Sequence, residues 1–104
     1  MTPKELVLIV TAENAFFASL ASLQEAILYG SALEEEELTG DVDIMLIPSG
    51  EMPEGEKVDL RQAVWERFKG KLPVMLEVVT PTADFSRESI DAGKIPYMTV
   101  YQRD

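Results

Sequence analysis

Short apolar runs closed by turn residues set the tightest limit on what this chain can fold into. Ala26-Ile27-Leu28-Tyr29 stops at Gly30-Ser31, and Asp41 to Ile47 stops at Pro48-Ser49-Gly50. Runs of that length between Gly, Pro and Ser read as strands. Leu72 to Thr80 supplies a third strand and Ile95 to Tyr101 a last one. Elsewhere the apolar residues recur at helical spacing. Thr2-Pro3-Lys4-Glu5 has the form of a capping box with proline at the first helical position, so a helix is expected from Pro3. Leu6-Val7-Leu8-Ile9-Val10 would also suit a buried strand. The cap and the alanines at 12, 15, 18 and 21 favour helix, with Leu6, Ile9, Val10, Phe17, Leu20 and Leu23 on one side and Glu13 the polar intruder. Glu34 to Glu37 falls in an acidic loop and Glu51 to Lys57 in another. Asp59 is expected to cap a helix over Leu60 to about Phe68, with Leu60, Val64, Trp65 and Phe68 buried and Gly70 closing it. Asp84 to Ala92 reads as a short helix ended by Gly93. The mixture of strands and helices predicts an α/β (α+β) fold, a small mixed sheet packed with helices, in one domain over 1–104. Periodicity predicts a core of Leu6, Ile9, Val10, Phe17, Leu20, Ile27, Leu28, Val42, Ile44, Leu46, Val64, Trp65, Phe68, Val74, Leu76 and Val78.

Composition excludes several kinds of chemistry. The chain has no histidine, which removes His-activated nucleophiles and His-ligated zinc, and no cysteine, which removes disulfides, thiol nucleophiles and iron–sulfur clusters. Acid–base work would fall to carboxylates. The run Leu6 to Val10 is far shorter than the roughly 18 residues of a membrane span, and acidic Glu5 and Glu13 suit a leader peptide poorly. The expected location is cytoplasmic, with no membrane partner.

The net charge of −10 is carried by the front of the chain. Between Lys4 and Lys57 there is no Lys or Arg but there are twelve carboxylates, whereas Lys57 to Asp104 holds eight basic and seven acidic residues. Such a surface repels phosphate backbones, so duplex nucleic acid is not an expected partner. A charge run such as Glu34 to Glu37 ordinarily solvates a loop; its functional reading is a docking place for a cation or a basic partner.

Three features carry possible chemistry. On a strand, Asp41 and Asp43 point to one face while Val42, Ile44 and Leu46 point to the other. Two close carboxylates are costly unless one is protonated or a cation lies between them. Oxygen-only ligands select a hard cation such as magnesium. Glu77 interrupts Val74-Met75-Leu76 and Val78-Val79, where a carboxylate wants either solvent or a partner. Gly30-Ser31, directly after a strand, is a turn that also lets a backbone approach a phosphate.

Taken in order, Leu28-Tyr29-Gly30-Ser31, Gly40-Asp41-Val42-Asp43-Ile44-Met45-Leu46-Ile47 and Leu76-Glu77-Val78-Val79-Thr80 resemble the minimal nucleotidyltransferases of the DNA polymerase β superfamily. The segment from Phe85 to Ile95 is similar to the closing helix and turn of those proteins, and the resemblance spans about Ala26 to Tyr101. It implies a nucleotidyltransferase-like fold. It also implies that Gly30 and Ser31 grip the phosphates of a nucleoside triphosphate, that Asp41 and Asp43 hold two magnesium ions, and that Glu77 completes the site and helps deprotonate an attacking hydroxyl. The activity implied is transfer of AMP from ATP, and in relatives of this size the acceptor is often a HEPN-type helical toxin, the transferase acting as antitoxin. This chain departs from the family pattern in three places. Nine residues separate Ser31 from Asp41, one fewer than usual; Glu34 to Glu37 stand where an arginine is common; and the third carboxylate is Glu rather than Asp. Lys57 or Arg61 are the candidates to replace the missing cation. The alternative is a catalytically weak or inactive acidic module that neutralises a basic partner protein.

Overall fold

The computed structural model describes residues 1–34, 36–37, 40–72, 75–81 and 96–104. Its elements are α1 (Pro3–Thr11), α2 (Asn14–Ser19), β1 (Leu23–Tyr29), a 3-10 turn (Ser31–Glu34), β2 (Val42–Pro48), α3 (Glu54–Phe68), β3 (Leu76–Val79) and β4 (Tyr97–Gln102). The described residues thus form an α+β domain with three helices and a four-stranded mixed sheet of order β3-β2-β1-β4. β1 runs antiparallel to both β2 and β4, and β2 runs parallel to β3. No helix among the described residues is long and apolar enough to cross a membrane.

The N-terminal cap forms as its sequence demands. Thr2 Oγ1 accepts the Glu5 N–H at 3.2 Å and donates to the Glu5 carboxylate at 3.3 Å, satisfying one of the backbone donors that a helix start leaves open. The helical stretch then breaks at Ala12 and Glu13 instead of continuing as one apolar stripe. Glu13 explains its own intrusion: its carboxylate receives Arg67 Nε at 2.7 Å and Lys71 Nζ at 2.8 Å, from the end of α3 and just beyond. The hydrogen bonds from Lys71 and Arg67 hold its carboxyl below the ordinary range. Leu23 belongs to β1, not to a helix.

α3 corrects the expected boundaries. It begins at Glu54, with Pro53 as its N-cap, and takes in the stretch Glu54 to Lys57 that reads as loop. Proline fits a helix start, and Glu54 and Glu56 in the first turn face the positive end of the helix dipole. These outweigh the cost of Gly55 near the start. Leu60, Val64 and Phe68 are buried at four-residue spacing, while Trp65 lies one position further round and is 39% exposed. β3 is shorter than the expected Leu72–Thr80, and Val74 and the expected helix Asp84–Ala92 lie outside the described residues.

The sheet buries both faces unequally. Ala26, Leu28, Val42, Ile44, Leu46 and Leu76 meet Leu6, Val10, Phe17, Leu60, Val64 and Phe68 from the helices. The opposite face carries a smaller cluster, Ile27 and Met45, with Tyr29, Ile47 and Val79 against it. Two irregularities in strand pairing, between Leu23 and Glu25 and between Ala26 and Ile27, shift the alternation. A bulge of this kind breaks the two-residue period, so Leu23 turns inward to the helices and both Val100 and Tyr101 are buried there. Ile9, Leu20 and Val78, expected in the core, are only partly buried. Leu23, Ala26, Met45, Val100 and Tyr101 take places in it that periodicity does not assign.

Aromatic stacking joins the layers. The Phe17 ring stacks on Phe68 at 5.8 Å and on Tyr101 at 5.7 Å, linking α2 to α3 and to the last strand. Arg103 fixes the joint between α2 and β1: its guanidinium donates to the carbonyls of Ala18, Leu20 and Leu23 at 2.9–3.0 Å. A cation at a helix C-terminus meets carbonyls that have no helical partner. Phe17→Ala is expected to cost about 3–5 kcal/mol and Arg103→Met about 1–3 kcal/mol, both read from chemical denaturation. An Arg103→Met variant as stable as the parent would mean the carbonyls are equally well served by water.

Candidate functional site

β2 is stitched to β3 from its first residue. Val42 donates its N–H to the Met75 carbonyl at 2.9 Å, and the parallel register then places Val42 opposite Leu76 and Asp43 opposite Glu77. Because Val42 and Ile44 are drawn into the helix-side core, Asp43 must point to the other face, and Glu77 follows because its neighbour Leu76 is drawn into the same core. The register thus brings together two of the carboxylates singled out in the sequence. Asp41 lies just before β2 and is exposed; it stands at the entrance to the pair, not within the strand.

The Asp43 carboxyl is pushed up to about 6. Partial burial on the sheet is the largest cause, followed by a hydrogen bond to Glu77, the negative charge of Glu77 and that of Asp41. Asp43 therefore keeps its proton to higher pH than an ordinary aspartate, the response of a partly buried carboxyl set beside a second carboxylate. On the other side of Asp43, the antiparallel register sets Tyr29 opposite it. Burial raises the Tyr29 phenol above its ordinary value, and the charges of Asp43 and Glu77 raise it further. Tyr29 is the neighbour that reading the sequence missed. Its signal was its place as the last residue of β1, directly before Gly30.

Gly30 turns the chain with φ of +98°, a conformation that side chains resist. A Cβ added there would lie 3.0 Å from Asp43 Oδ2, so the turn passes right against the carboxylate. The Gly30 N–H is used by the Pro96 carbonyl at 2.9 Å. Gly30 thus provides close approach but not a free donor for phosphate. Ser31 opens the 3-10 turn, and its side chain lies outside the described structure.

Arg61, one of the two candidate replacement cations, is engaged elsewhere. Arg61 donates to Thr80 Oγ1 at 2.6 Å and to Glu54 at 3.3 Å. Thr80 follows the alternation of Leu76 and Val78, on the helix side of the sheet, while Glu77 and Val79 point the other way. Lys57 lies on the same helix as Arg61. Among the described residues no group of three or more Asp, Glu, His or Cys is placed to hold a metal ion. Neither a scan of protein-family models nor a search of curated proteins finds a match to this chain.

Two results are expected. Since the native Asp43 pKa lies above its ordinary value near 4, the folded state binds more protons than the unfolded chain between about pH 4 and 6. This contribution to stability is complete below pH ~4 and is lost as pH rises through about 6. Asp43→Asn should therefore raise the melting temperature most at pH 8, with the gain shrinking toward pH 4; a gain independent of pH would contradict the raised Asp43 value. Gly30→Ala should cost roughly 1–3 kcal/mol in denaturant unfolding, and a neutral result would contradict the close approach to Asp43.

Proposed function

We propose that this chain is a magnesium-dependent nucleotidyltransferase that moves AMP from ATP to a hydroxyl on a partner protein, an antitoxin-like role with a HEPN-type helical toxin as acceptor. The observation that carries the reading is the Asp43–Glu77 pair with the Gly30 turn against it. The order of motifs in the sequence supports the choice of reaction and acceptor.

Magnesium keeps oxygen ligands and is commonly held by one or two carboxylates, with substrate phosphates and water filling the other positions. Asp43 and Glu77 suit that donor set, and Asp41 adds negative charge beside it. Once bound, magnesium would neutralise the triphosphate and acidify the acceptor hydroxyl. Asp43 serves as a ligand in its ionised form, which prevails above about pH 6. Gly30, with no side chain, lets the turn pass directly against Asp43. Glu77, exposed on β3, takes the acceptor proton as the acceptor oxygen bonds to the α-phosphorus. The bond from that phosphorus to the bridging oxygen breaks and pyrophosphate leaves, with catalysis resting on positioning and charge.

A second reading, an acidic module that neutralises a basic partner without turnover, is favoured by one observation: Arg61 is held on the far side of the sheet by Thr80 and Glu54. Calorimetric titration with ATP, with and without magnesium, separates the two. Transfer chemistry predicts binding that requires magnesium and is lost in the Asp41→Ala, Asp43→Ala double variant. Absence of ATP binding, together with tight binding of a basic partner that Asp41→Ala leaves intact, would favour the second reading.

A further inference from the structure

At the opposite edge of the sheet from Glu77, a groove of about 470 Å³ runs between α1 and β4. Val7, Leu8, Leu33, Pro96, Tyr97 and Met98 line it. Leu8 is 61% exposed and Met98 46%, so each leaves about half or more of an apolar residue in water. Apolar surface gathered along a groove in this way marks an interaction site far better than scattered exposed leucines do.

Carboxylates predominate on the segments beside the groove, although its own lining holds Lys4. Leu33 shares its 3-10 turn with the exposed Glu34, and exposed Glu36 and Glu37 follow. Glu37 reaches the Met1 ammonium at 2.8 Å, which ties this acidic segment to the start of α1. Glu5 is exposed on the first turn of the same helix, and Lys4 is the groove's own base. A second copy of the chain is a poor occupant, because a twofold contact would set these glutamates against their counterparts on a molecule of net charge −10.

We propose that this groove docks a cationic amphipathic helix of another protein, its apolar face lying between α1 and β4 and its Lys or Arg residues against the glutamate rim. Helix-in-groove recognition uses apolar anchors spaced along one helix face, and two parallel walls of Leu8 and Met98 type receive them. The rim charges would hasten encounter and reject acidic partners more than they would tighten the complex. The groove stands whether or not the Asp43–Glu77 pair transfers nucleotides, since the two lie at different edges of the sheet.

The test uses a labelled synthetic peptide of about 18 residues, long enough to be helical, with leucine on one face and lysine on the other. Its control has serine in place of leucine and the same charge. Fluorescence anisotropy at physiological ionic strength should show saturable binding of the leucine peptide and at least about tenfold weaker binding of the control, the scale expected when buried anchors are lost. The Leu8→Ser, Met98→Ser double variant should weaken the leucine peptide to a similar extent, and Leu8→Ser alone by part of that. Both positions are exposed, and a circular dichroism melt checks that the variants fold. ATP binding by the double variant should match that of the parent, so failure of docking is distinguishable from failure of the nucleotide reading. Equal binding of both peptides, unchanged binding by the double variant, or no binding at all would overturn the proposal. So would a dimer in sedimentation that Leu8→Ser abolishes, which would assign the groove to a second copy.

Discussion

The alternation of β2 is the constraint on which the rest of this structure depends. Val42, Ile44 and Leu46 enter the core beneath the helices, so Asp43, Met45 and Ile47 have one direction left. β3 joins in parallel register and brings Glu77 level with Asp43, while β1 joins on the other side and brings Tyr29 level with it. A slip of one residue would exchange the carboxylate for a valine or isoleucine and bury it under the helices. The burial that stabilises the domain is therefore also what assembles and positions the carboxylate pair.

The two faces of the sheet have different roles. The helix-bearing face holds the aromatic stack of Phe68, Phe17 and Tyr101 and is locked at one end by Arg103 and at the other by the ion pairs of Glu13. The opposite face carries Ile27 and Met45 as a small apolar base next to the neighbouring carboxyls of Asp43 and Glu77. Cooperative packing on one side allows two neighbouring carboxyls to be held on the other, where partial burial and Glu77 raise the Asp43 value. Perturbed carboxyl groups also occur in purely structural pairs; here the Gly30 turn packs directly against Asp43 on one side of the pair.

Much of this was legible in the residues. The Thr2 cap, the strands ending at Gly30 and near Pro48, and the buried alternation of Val42, Ile44 and Leu46 follow from local chemistry that acts within a few positions. The meeting of Asp43 with Glu77 was anticipated only through the order of motifs, because register between distant strands is set by the core and not by either segment alone. What the sequence hid has equally physical causes. Pairing irregularities reverse the facing of Leu23 and Tyr101, which no two-residue period can reveal. The start of α3 was displaced because Gly55 looks like a loop residue, while proline and glutamates at the helix start outweigh it. Glu13 looked like an intruder until its partners, Arg67 and Lys71, came from the end of a distant helix.

The claim at the centre is the proposal that the neighbouring carboxyls of Asp43 and Glu77 form a pair that a divalent cation can occupy. Nuclear magnetic resonance of the carboxyl carbons and backbone amides during titration with magnesium measures this directly. The Asp43 and Glu77 carboxyl signals and the Gly30 amide should shift together and saturate, and the Asp43 midpoint should fall below its cation-free value of about 6. Shifts confined to Glu34, Glu36 and Glu37, with the Asp43 midpoint unmoved, would contradict the claim and leave the acidic surface as the binding feature of the chain.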